Sequence, residues 1–183
     1  MPNINANAGG LDTVQWVSQA QAMQSWLAAG GSVGDVLQVP RERREALYQL
    51  GYGFYAQGRY EDAFKVFSLL VVHEHMNERY LMALAGAAQM IGRHRDALQH
   101  YSTAALLLIG DPRPVFFSAE CLMALKHFDL AAESLRLVIE LAGESTSHDV
   151  LKSRATALLT SIHHQSRASE SPATPAAESA SAL

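Results

Sequence analysis

Tyr48, Tyr52 and Tyr55 are spaced four and three residues apart, which sets them on one face of a helix. Each joins a large apolar ring to a terminal hydroxyl. Three together suit a surface that holds an apolar peptide segment and bonds its backbone, not one that breaks bonds. The other use for such rings is plain packing against neighbouring helices. Met82, Met90 and Met123 divide the same way, between adaptable binding surface and ordinary core.

Residue types that do covalent or metal chemistry are present but badly arranged for it. His73 and His75 lie two apart, on different faces of a helix, and His163 and His164 are adjacent. The single cysteine, Cys121, excludes an internal disulfide and reads as a small packed residue. No glycine-rich phosphate loop, paired carboxylates or Ser–His–Asp pattern can be assembled. The expectation is no catalytic residue, no metal and no cofactor. With 183 residues, 49% of them hydrophobic, 17% charged and a net charge of −4, the chain fits one domain and lacks the basic footprint of a nucleic-acid binder. No stretch approaches the ~20 apolar residues of a membrane span. Residues 1–10 lack the basic start and apolar run of a secretory signal. A soluble, cytoplasmic protein is expected.

The elements that position these residues follow from a repeat. Ala63, Ala97 and Ala131 are each thirty-four residues apart, with Tyr60, His94 and Phe128 three residues before them and Phe67, Tyr101 and Leu135 four after. Gly58 and Gly92 stand five before, where the third copy has Lys126. This period and phase are those of the tetratricopeptide repeat, a helix–turn–helix unit. The predicted fold is all-α, with three tandem repeats forming a concave superhelix. Position eight of each first helix is small (Gly51, Ala85, Ala119) so that the paired helices approach closely. Leu47, Leu50, Gly51 and Phe54 form the buried face of the first helix, and Arg41, Arg43 and Arg44 a solvated helix start. Residues 1–10 read as disordered and 11–40 as N-terminal helices broken at Gly30 and Gly31. Residues 41–166 hold the repeats and a C-terminal capping helix, because a solenoid end has no neighbour to cover it. Residues 167–183, rich in Ser, Ala and Pro, read as a disordered tail.

In this repeat, positions two, five, nine, twelve and thirteen of the first helices face the concave side. They are Glu45, Tyr48, Tyr52, Tyr55 and Ala56, then Arg79, Met82, Gly86, Gln89 and Met90, then Arg113, Phe116, Glu120, Met123 and Ala124. The tyrosine face is expected to be distinct from the buried face of the same helix.

The chain resembles the class II chaperones of bacterial type III secretion, which hold translocator (pore-forming) proteins before export. The resemblance rests on Leu47, Tyr48, Gln49, Leu50, Gly51 and Tyr52 with Tyr55; on the run from Gly58 to Ala63 leading to Lys65, Val66 and Phe67; on His75 with Arg79 and Tyr80; on Ala97 with Tyr101 and Ser102; and on Pro112, Arg113 and Pro114 leading to Ala119, Glu120 and Cys121. Where relatives often carry a Phe-Pro pair, this chain has Pro114, Val115, Phe116 and Phe117, which puts the third-repeat part of the groove in question. The resemblance implies an extended, proline-containing N-terminal segment of a translocator held in the concave face. The implied site is Tyr48, Tyr52 and Tyr55, with Arg79, Met82, Gln89, Phe116, Glu120 and Met123 continuing it. It further implies either self-association as a homodimer through the N-terminal helices or their folding back as a cap. Some members also activate a transcription factor. Without the resemblance, a generic repeat adaptor fits the same pattern. No nucleic acid and no direct membrane contact are expected.

Overall fold

The computed structural model describes residues 39–143 and 146–170, with five single positions between 21 and 29. The expected disorder of residues 1–10, the break at Gly30 and Gly31, and nearly all of the N-terminal helices lie outside the described residues.

Among the described residues from 41 to 170, seven α-helices follow one another: α1 (Arg41–Ala56), α2 (Tyr60–His73), α3 (Glu78–Met90), α4 (His94–Leu107), α5 (Pro112–Ala124), α6 (Phe128–Ala142) and α7 (Asp149–Glu170), the last preceded by a 3₁₀ turn at Thr146–His148. Each packs on its neighbours in chain order, as in a solenoid of helix pairs. Among the described residues there is no strand.

The helices start and stop where local chemistry dictates. The Asn77 side chain accepts from the Tyr80 N–H at the start of α3. Asp111 accepts from the Arg113 N–H at the start of α5, where Pro112 needs no partner for a missing donor. The turn inside each repeat repeats too. Gly58, Gly92 and Lys126 have φ of +75°, +78° and +64°. In each case the following N–H reaches back across the helix end: Arg59 to the Phe54 carbonyl, Arg93 to Ala88 and His127 to Leu122, all at 2.9 Å. A left-handed residue closing a helix this way is a Schellman motif, which favours glycine.

Among the described residues, three apolar clusters form the interior. Ala63, Phe67, Leu70 and Leu84 belong to the first. Ala85, Ala88, Ala97, Tyr101 and Cys121 form the middle one. Phe116, Ala119, Ala131, Leu135, Val138, Ala155 and Ile162 form the third. The three alanines of the repeat are fully buried, as their phase requires.

Three expectations need correction. Leu50 is 49% exposed, because α1 packs mainly on α2 and Leu50 lies off that side. Arg44 is no solvated helix start. It pairs with Glu74 at the end of α2, which also accepts from the Asn77 amide at 2.8 Å. Finally, α7 continues to Glu170, past the boundary at 166, since residues 167–170 are mostly good helix formers.

Candidate peptide-binding groove

The first helices α1, α3 and α5 line a groove of about 590 Å³, with space for a few side chains of an extended segment but not for a folded domain. Its α1 wall is the tyrosine face. Tyr52 is 57% exposed. Tyr55 lies edge-on to Tyr60, centroids 5.2 Å apart, and burial raises its hydroxyl above the usual range. Tyr48 is anchored more deeply, 5.7 Å from Phe67 and 5.9 Å from Tyr80. The Arg79 guanidinium covers its ring at 3.6 Å while bonding Glu45 at 2.8 and 3.1 Å. A cation over a tyrosine face adds to the packing. That hydrogen-bonded pairing lowers Glu45 below the usual carboxylate range.

The floor is open at Gly86. A Cβ there would stand 3.6 Å from the Tyr101 hydroxyl and 3.8 Å from that of Tyr55. Glycine inside a helix costs stability relative to alanine, and what it leaves at this position is depth. Met82, Met90, Leu108 and Phe117 supply apolar surface around it, with Phe117 stacked on Tyr101 at 5.4 Å. Polar groups run along one side. The Tyr101 hydroxyl donates to Gln89 Oε1 at 3.0 Å. Gln89 Nε2 donates to Glu120 Oε2 at 3.0 Å, and Arg154 Nη2 donates to Glu120 Oε1 at 2.9 Å. Burial keeps the Tyr101 hydroxyl protonated far above its ordinary range. An apolar trough with a few fixed polar groups binds and orients.

The groups that do covalent chemistry are elsewhere or blunted. Cys121 is fully buried, and burial pushes its thiol up to about 12, with Glu120 adding to the effect. Among the described residues no three His, Cys, Asp or Glu side chains gather to hold a metal ion. Among the same residues no helix is long and apolar enough to cross a membrane.

The chain is 34% identical over 141 residues to low calcium response locus protein H of Yersinia pestis, covering 77% of this chain and 84% of that protein. Its fold matches the Yersinia enterocolitica type III secretion translocator chaperone SycD in complex with a peptide of the translocator YopD. There the TM-score is 0.66 at 32% identity, over 70% of this chain and 98% of SycD. It also matches PcrH of Pseudomonas aeruginosa bound to the chaperone binding region of PopD. That match has a TM-score of 0.66 at 34% identity, over 70% of this chain and 96% of PcrH. No protein-family model matches. The chain belongs to the type III secretion translocator chaperones.

Within this chaperone, seven of the nine expected site residues line the groove: Tyr48, Tyr52, Tyr55, Arg79, Met82, Gln89 and Glu120. Phe116 and Met123 do not. Phe116 is fully buried in the third cluster, and Met123 packs against that cluster. The reason is α7, which lies on α5 and α6 and sets Arg154 over the Phe116 ring at 4.7 Å. Position five of a first helix faces onward to the next unit, and in the third repeat that unit is α7. The next residue, Phe117, stacks on Tyr101 and lines the groove, so it takes the place expected of Phe116. The aromatic pair at 116 and 117 signalled a ring here, but not which of the two.

Tyr101 comes from a second helix and was legible only as a packing residue, yet its hydroxyl reaches the groove floor. Nor are the two faces of α1 distinct. Tyr48 and Tyr55 join Leu47 and Phe54 against the first cluster while still lining the groove.

Proposed function

We propose that this chaperone holds an extended, proline-containing segment near the N-terminus of a secreted translocator in its concave groove, in the bacterial cytoplasm, and does so without catalysis. The observation that carries the reading is Gly86, a side-chain-free floor between the hydroxyls of Tyr55 and Tyr101. An extended segment can lower one apolar side chain there while its backbone meets Gln89 and the tyrosines. Proline in the segment limits its freedom before binding, which reduces the entropy lost on capture. That SycD and PcrH have been solved with a YopD peptide and a PopD region supports a translocator segment as the ligand of this chain.

The test is fluorescence anisotropy with the labelled YopD peptide and the labelled chaperone binding region of PopD. The wild-type protein should bind at least one. Gly86→Leu should weaken that binding by at least about tenfold, the loss of roughly one buried apolar anchor, with an unchanged helical circular-dichroism signal. Failure of the wild type to bind either peptide, or full binding by Gly86→Leu, overturns this reading of the groove.

A further inference from the structure

We propose that Arg154, on α7 and outside the groove lining, is a positioning residue that fixes the orientation of the Gln89 amide on the groove floor. The inference rests on the groove reading above. Four side chains from four helices form one line: Tyr101 on α4, Gln89 on α3, Glu120 on α5 and Arg154 on α7. An ionised carboxylate only accepts, so Gln89 must turn its NH₂ toward Glu120 at 3.0 Å. The Tyr101 O–H then meets Gln89 Oε1, also at 3.0 Å. In this arrangement the amide cannot reverse without setting a carbonyl oxygen against a carboxylate.

One Nε2 hydrogen and one Oε1 lone pair are left after these bonds. An extended backbone alternates C=O and N–H groups along each edge, and a fixed amide can serve one of each. Main-chain bonds of this kind give affinity to extended peptides with little demand on their sequence.

The orientation of Gln89 is only as firm as the Glu120 carboxylate, whose side chain is 24% exposed. Arg154 holds the far oxygen at 2.9 Å, and its own place is set by the buried Phe116 ring beneath it at 4.7 Å. Glu120 and Arg154 are thirty-four residues apart, so Arg154 stands where a fourth repeat would place the counterpart of Tyr52, Gly86 and Glu120. Without the guanidinium, Glu120 is drawn to water and Gln89 loses the partner that selects its rotamer.

The experiment is a double-mutant cycle read with the labelled PopD region and the labelled YopD peptide. Arg154→Leu should weaken binding about five- to tenfold, the size of one hydrogen bond's net contribution. In a Gln89→Leu background the same change should cost less than about twofold, because the two act through one interaction. Arg154→Lys should recover most of the loss. A stabilising role alone would lower affinity equally in both backgrounds, and that result overturns the inference, as does unchanged binding by Arg154→Leu. If Arg154→Leu misfolds by circular dichroism, Arg154→Gln replaces it in the cycle. Wild-type binding to neither peptide defeats the groove reading itself, and the inference falls with it.

Discussion

The edge of the Phe67 ring lies where a side chain on Gly51 would have to be: a Cβ at Gly51 would stand 2.6 Å from Phe67 Cε1. Phe67 is 1% exposed and has no room to retreat. Overpacking of about 1–3 kcal/mol set against a gain in helix propensity of about 1 kcal/mol should leave Gly51→Ala destabilised by up to about 2 kcal/mol. Gly53, on the same helix, has nothing within 4 Å of its added Cβ. Gly53→Ala should be stabilising by roughly 0.5–1 kcal/mol. Urea unfolding of the two variants checks the pair, and a loss of stability in both would refute the steric account.

Lys126 holds the left-handed turn position that Gly58 and Gly92 hold in the earlier repeats. A non-glycine residue in this region carries a steric cost of about 1–2 kcal/mol, part of which the greater freedom of glycine in the unfolded chain offsets. Lys126→Gly should raise the thermal midpoint by a few degrees, consistent with about 1 kcal/mol for a domain of this size. Gly92→Ala should lower it. An unchanged or lower midpoint for Lys126→Gly would show that the lysine side chain compensates for its backbone.

Cys121 should be inert in the folded protein. Its thiol is buried and held up to about 12, so the thiolate that reacts with alkylating agents is scarce at neutral pH. Iodoacetamide should label the native protein slowly and the urea-unfolded protein fully. Rapid labelling of the native state at pH 7.5 would mean that α5 opens readily.

Asp111 is held below the usual carboxylate range by the Arg113 side chain and by the Arg113 backbone N–H it caps. A carboxylate whose folded value lies below its unfolded one stabilises fully above the unfolded value, and this is lost as pH falls through the folded one. Asp62, bonded by Arg59, and Glu45, bonded by Arg79, are shifted the same way. Stability should thus hold from neutral pH down to about 5 and decline below about 4. Asp111→Ala should cost about 1 kcal/mol at pH 7, a typical helix-cap loss, and the gap to wild type should narrow by pH 3. A gap of equal size at both pH values would contradict the assignment.

Arg113 shows how partial the reading of the groove was from sequence. Its repeat position placed it on the concave side, and it does line the groove. Its guanidinium nevertheless bonds its own cap residue, Asp111, at 2.9 Å, which periodicity does not reveal. Phe116 and Phe117 show the same limit more sharply. They are neighbours in sequence and both aromatic, and one is sealed under α7 while the other faces the groove.

What the sequence determined by itself is the local frame. The thirty-four-residue beat, the glycine turns at 58 and 92 and the small residues at 51, 85 and 119 each answer to a contact or backbone angle within a single repeat. Those constraints are short in range, so residue type and spacing carry them. The tertiary structure decided which side chains remain open to a partner. That depends on how far each repeat is rotated on the last and on where α7 comes to rest, distances that no spacing records. It is the resting place of α7 that buries Phe116 and brings Arg154 within reach of Glu120, and the packing of the repeats that leaves Gly86 open between two tyrosines.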